Sequence, residues 1–128
     1  MDEALIGGLV CTHETEVPDQ ANLTSGALKR YGTEHPVVAT HPETGRKLLF
    51  VNKTYSKQIK GMTQEESDAL LGFLVRHATR AEHVWRVQWQ PGTLTFWDNR
   101  CTWHYAVNDY QGQRRLMHRI TLDGMRLS

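Results

Sequence analysis

Two cysteines, Cys11 and Cys101, are all that the 128 residues hold. A small secreted domain stapled by disulfides carries more, so both are expected as reduced thiols in a cytoplasmic protein. No apolar run approaches the ~20 residues that span a bilayer, so no membrane-crossing helix is expected. The start, Met1-Asp2-Glu3, is acidic and lacks the basic opening of a signal peptide. Charge of one sign is also missing. The net value of +1 gives no global field, so neither nucleic acid nor an acidic membrane is an expected partner. Internal repeats and low-complexity tracts are absent. What remains is an ordinary globular composition, 39% apolar and 23% charged, at a length that suits one domain.

The first 34 residues are the least regular. Leu5, Ile6, Leu9 and Val10 form a short apolar cluster broken by Gly7-Gly8, and polar residues follow from Thr12 to Gln20. This stretch is expected to be a helix end and a loop or short crossover, weakly ordered. From His35 the pattern sharpens. The runs 36–40 and 47–51 are β-prone and flank His41-Pro42-Glu43-Thr44-Gly45, where an early proline and a late glycine suit a turn, so a β-hairpin is expected. Thr63-Gln64-Glu65-Glu66 has capping-box spacing, and Ala69, Leu70, Phe73, Leu74 and His77 follow at helical intervals, predicting a helix with that face on the core. Trp85, Val87 and Trp89 alternate with polar residues, and so do residues 93–97 beyond the Pro91-Gly92 turn. A final strand is expected over 115–122, after a loop containing Asn108-Asp109 and Gly112. The class is mainly β with one clear helix, in a sandwich or barrel.

The chemistry-bearing residues cluster late. Trp97 to His104 end one predicted strand, and Arg115 and Arg119 follow the histidine by eleven and fifteen residues. On a final strand, Arg115, Met117, Arg119 and Thr121 share one face. At strand rise the two arginine Cα atoms sit about 13 Å apart, too far for one small carboxylate to satisfy both. If that face lies inside a barrel, each guanidinium needs its own anion. The alternative is a solvated face, or pairing with acids such as Asp98, Asp109 or Asp123. A mononuclear iron site of the two-histidine, one-carboxylate type needs a His-x-Asp or His-x-Glu pair beside a distant histidine. Of seven histidines, only His41-Pro42-Glu43 has that spacing, and its place in a turn argues for side chains facing solvent. His104 is then a candidate ligand without partners.

Several stretches together carry a resemblance. His35-Pro-Val-Val-Ala-Thr-His-Pro-Glu-Thr-Gly45, Leu49-Phe-Val-Asn52, Trp89-Gln-Pro-Gly92, Trp97-Asp-Asn-Arg100, Thr102-Trp-His-Tyr-Ala106, Asn108-Asp-Tyr110 and Gln113-Arg-Arg-Leu-Met-His-Arg119 resemble the C-terminal half of the taurine dioxygenase (TauD/TfdA-like) family of Fe(II)- and 2-oxoglutarate-dependent oxygenases. Gly8-Leu9 to His13-Glu14 is more weakly similar to an insertion ahead of that half. The resemblance implies a partial double-stranded β-helix (jelly roll) over 35–128, truncated on its N-terminal side, with 1–34 as the family insertion region. It implies His104 as the distal iron ligand, Arg115 as the fork for 2-oxoglutarate, Arg119 as the clamp for a small anionic substrate (sulfonate, sulfate ester or carboxylate), and Trp97 lining the pocket. The family's His-x-Asp pair falls upstream of the matched region, and Trp103 stands where a smaller polar residue is expected. The implied activity is hydroxylation of the anionic substrate, with sulfite release in sulfonate-type members. The chain alone is expected to bind iron weakly and to self-associate or need a partner half. The competing expectation is a non-catalytic β-sandwich module that binds anions or other proteins.

Overall fold

The structure, a computed structural model, describes residues 6–18 and 28–124. Five strands and a helix fill the first part: β1 (Val10–Pro18), β2 (Leu28–Pro36), β3 (Val38–Thr40), β4 (Lys47–Leu49), β5 (Ser56–Ile59) and α1 (Gln64–Ala78), with a 3-10 turn at Ala81–His83. β1 is the centre of an antiparallel sheet ordered β2-β1-β5, and β3 pairs with β4 as the expected hairpin.

The polar run from Thr12 is a strand as far as Pro18 rather than a loop. Its alternation is visible afterwards: Cys11 and His13 are buried, while Thr12 between them is less so. β1 and β2 pair without interruption from Val10↔Pro36 to Pro18↔Leu28, so the backbone groups of a polar segment are satisfied across the ladder. Polarity hid the strand because only its first half faces the core. The Leu5 end of the apolar cluster, and Asp19 and Gln20, lie outside the described residues.

The core gathers Ile6, Cys11, Val37, Val51, Ile59, Leu71 and Leu74, with Leu9, Val38, Leu49, Met62 and Leu70 packed on it. α1 begins as its spacing predicts. The Thr63 side chain accepts from the Glu66 amide and the Glu66 carboxylate accepts from the Thr63 amide at 2.9 Å. Its buried face, however, is Ser67, Leu71 and Leu74, with Phe73 47% exposed and Ala69 also exposed. The rotation has a local cause. The Ile59 amide at the end of β5 donates to Ser67 Oγ at 2.8 Å inside the core. A serine off the predicted apolar face therefore docks the helix, because leaving that buried N–H without an acceptor would cost about 1–3 kcal/mol.

The strands expected over 85–90, 93–97 and 115–122 do not form. The turns between them do: the Thr93 amide donates to the Gln90 carbonyl at 3.0 Å around Gly92, and the Gln113 amide to the Tyr110 carbonyl at 2.9 Å around Gly112. Both glycines have positive φ, which suits residues without a Cβ. Alternation specifies a face, but a strand also needs a neighbour for its ladder, and these segments find none among the described residues.

Candidate functional site

The stretch from Trp97 to His104 is built around Asp98. Its main-chain carbonyl accepts from the Cys101 amide (3.3 Å), the Thr102 amide (3.0 Å) and the Thr102 hydroxyl. Its side chain takes the Arg100 amide at 2.8 Å and the Arg100 guanidinium at 2.5–3.0 Å. Arg100 also spans Glu43 as a two-pronged fork at 2.8 and 2.6 Å. The Arg100 hydrogen bonds, from side chain and backbone, hold the Asp98 carboxyl far below the ordinary carboxylate range. The Glu43 carboxyl is lowered first by the same guanidinium, and Arg100 is raised in return by Asp98 and then Glu43. Bidentate charge-assisted pairs of this kind fix geometry more than they stabilise the fold.

His41 completes the cluster. It is 8% exposed, contrary to the expectation that the turn points its side chains to solvent. Nε2 lies 3.1 Å from Asp98 Oδ2, and Nδ1 accepts the amides of Glu43 and Thr44, each at 3.3 Å. The histidine is a turn residue, as its context predicted, but it works from inside the turn.

His41, Asp98 and Cys101 bring possible ligand atoms within 4.8 Å of one another. They do not fit a cation. The Asp98 carboxylate is already forked by Arg100, whose charge repels a metal, and His41 Nδ1 is committed to two amides.

Of the four residues expected to form the site, two meet. The His104 ring lies 5.2 Å from that of Trp97, tilted by 46°, and the Trp97 indole N–H donates to Asn99 Oδ1 at 2.8 Å. Arg115 sits 5.1 Å over the Tyr110 ring. Arg119 is exposed, with no ion-pair partner among the described residues. Two of the three acids weighed as partners for these arginines go elsewhere: Asp98 to Arg100, and Asp109 to Arg86 at 3.0 Å. Because the final strand is not paired, the face that would align the two guanidiniums is not formed. His104 is likewise exposed, and no second histidine or carboxylate joins it in a three-ligand set among the described residues. One histidine does not make an iron site, so these residues alone do not fit the metal.

A second histidine cluster lies in the sheet. His13 stacks on Phe50 at 5.5 Å, meets His35 edge-on at 5.2 Å, and lies 3.3 Å from Ser56 Oγ. Burial, and then the neighbouring His35, push its pKa down to about 4. No spacing rule pointed to this trio, because β1, β2 and the residue after β4 bring it together.

Comparison with known proteins gives a consistent answer. The family described as "Taurine catabolism dioxygenase TauD, TfdA family" matches residues 4–121. An alkylsulfatase from Acinetobacter baylyi is 50% identical over 95 residues, covering 74% of this chain and 30% of the relative. An alpha-ketoglutarate-dependent sulfate ester dioxygenase from Pseudomonas putida is 45% identical over 94 residues, covering 73% and 31%. Among solved structures, a taurine dioxygenase from Burkholderia xenovorans superposes with a TM-score of 0.65 at 41% identity, over 77% of this chain and 31% of that one. AAD-2, solved in complex with Mn(II) and N-oxalylglycine, gives 0.57 at 27% identity over 70% and 38%. The chain thus spans under a third of the length of these two curated relatives. With nearly all of its residues matched and a mainly β fold with one helix in common, the chain belongs to the TauD/TfdA dioxygenase family.

Proposed function

We propose that this chain is the C-terminal part of a jelly-roll dioxygenase that uses Fe(II) and 2-oxoglutarate to hydroxylate a small sulfonate or sulfate ester. His104 supplies the distal metal ligand, Arg115 grips the far carboxylate of 2-oxoglutarate, Arg119 holds the anionic head of the substrate, and Trp97 lines the pocket beside His104. The observation that carries this reading is the family match over 4–121, which includes all four residues. The names of the relatives supply the substrate class: an alkylsulfatase and a sulfate ester dioxygenase. N-oxalylglycine in the AAD-2 structure supports the co-substrate, since it has the two carboxylates of 2-oxoglutarate at the same separation. Two free thiols, Cys11 and Cys101, suit a reducing cytoplasmic setting.

The metal's remaining ligands come from outside these residues, so the chain contributes orientation and charge to a site it does not complete. The unpaired segments after residue 84 leave backbone edges that favour association with a second copy or with the complementary part of the domain. A second reading, a non-catalytic anion-binding module, is favoured by the exposure of Arg115 and Arg119.

Thermal unfolding with 2-oxoglutarate separates the two readings. The oxygenase reading expects stabilisation that vanishes in Arg115→Ala, with no succinate formed by the chain alone. Equal stabilisation by every dicarboxylate and sulfonate, weakened alike in Arg115→Ala and Arg119→Ala, would leave only the module. A tight stoichiometric iron complex of this chain would overturn the view that its site is partial.

A further inference from the structure

The turn between β3 and β4 and the loop after Trp97 lie far apart in sequence, yet one buried imidazole joins them. His41 accepts two turn amides on Nδ1, so its proton resides on Nε2 and is donated to Asp98. That tautomer is set by the backbone of the turn and does not depend on Asp98. Asp98 in turn gathers the amides of Arg100, Cys101 and Thr102, the residues leading to His104, and is itself preceded by Trp97, on which His104 rests. The loop therefore has one inner anchor, His41, and one outer anchor, the Glu43–Arg100 fork. Glu43 is exposed and its fork is screened by water, whereas the His41 bond is sheltered.

We propose that His41 is a positioning residue. By holding Asp98 it fixes the Trp97–His104 contact and so sets the direction from which the His104 imidazole is presented. Its value to the enzyme rests on the reading of His104 as a metal ligand, but the geometry can be tested without metal. A histidine suits the task because one ring nitrogen can close the turn while the other reaches across to the loop, which a shorter side chain cannot do.

The test is nuclear magnetic resonance on the 128-residue chain. Cross-peaks between the Trp97 and His104 rings, with ring-current displacement of the His104 ring protons, are expected in the wild type. They should be lost in His41→Ala while the amide signals of α1 stay in place. His41→Gln, which still offers an N–H to Asp98, should restore part of the displacement. Unchanged His104 ring signals in His41→Ala would overturn the proposal. Should His41→Ala fail to fold, the wild type still decides: long-range proton–nitrogen correlations must report the proton on Nε2 of His41, and a proton on Nδ1 would overturn it. If the contact depends on His41 but His104 takes no metal in any assembly, the positioning role stands and the iron reading falls.

Discussion

The described residues up to Ala78 and those from 84 to 124 obey the same chemistry and end in opposite states. Every fully buried apolar side chain among the described residues lies in the first region, between Ile6 and Leu74. In the second, Trp85, Leu94, Phe96 and Ile120 are each more than four-fifths exposed. Composition does not separate them, since the second region is at least as rich in aromatic and branched residues. What differs is whether the complementary surface is present. β1 finds β2 and β5, and α1 finds β5, all within about sixty residues. The alternating segments around Trp85, Thr93 and Arg115 have faces but, among the described residues, no neighbour to cover them. Apolar pattern is therefore a statement about a partner, and here the partner is met in only one of the two regions.

Substitutions can sharpen this contrast. Leu74→Ala removes a fully buried side chain and should cost about 2–5 kcal/mol in denaturant unfolding. Its control, Leu94→Ala, should change the same measurement by less than about 0.5 kcal/mol. A large loss from Leu94→Ala would mean that the second region is covered in solution, and the comparison would break.

Acid should act on the first region through His13. Its folded pKa, about 4, lies below the ordinary 6.5, so the unfolded chain binds the proton more readily. The contribution is therefore complete above pH 6.5 and is lost as pH falls toward 4, on the order of 2 kcal/mol. His13→Gln should flatten that part of the stability profile. An undiminished slope in the variant would assign the acid sensitivity to other groups.

A smaller effect is expected at the helix start. Thr63→Ala deletes the hydroxyl that caps the Glu66 amide and should cost about 1 kcal/mol. Helix content monitored by circular dichroism should fray at that end only, leaving the sheet signal alone.

Legibility in the sequence followed the range over which each feature is decided. The Thr63 capping box and the His41–Gly45 turn are settled within a few residues, and both could be read directly. The helix face could not be read to the correct residue, because Ser67 was placed by an amide on another element. β1 was hidden because half of it faces solvent. At the site, Trp97 and His104 were singled out from their motif, and their rings lie 5.2 Å apart. The alignment of Arg115 with Arg119 presupposed a paired strand that these residues do not form. The bond from His41 to Asp98 crosses 57 positions, and spacing rules do not reach that far.

The pairing of β1 with β5 holds one irregularity: Thr12 faces Gln58 and His13 faces Ser56, so Lys57 has no opposite number. Side chains directly across a ladder point the same way. Had the count run on evenly, the ammonium of Lys57 would sit against the His13 imidazole in the interior. The slip makes Lys57 a supernumerary letter, left outside with its Nζ on the Thr54 carbonyl, and it restores the reading frame in which a small hydroxyl meets the histidine. Among single-residue deletions in this ladder, loss of Lys57 is the one that preserves the phase of everything facing inward.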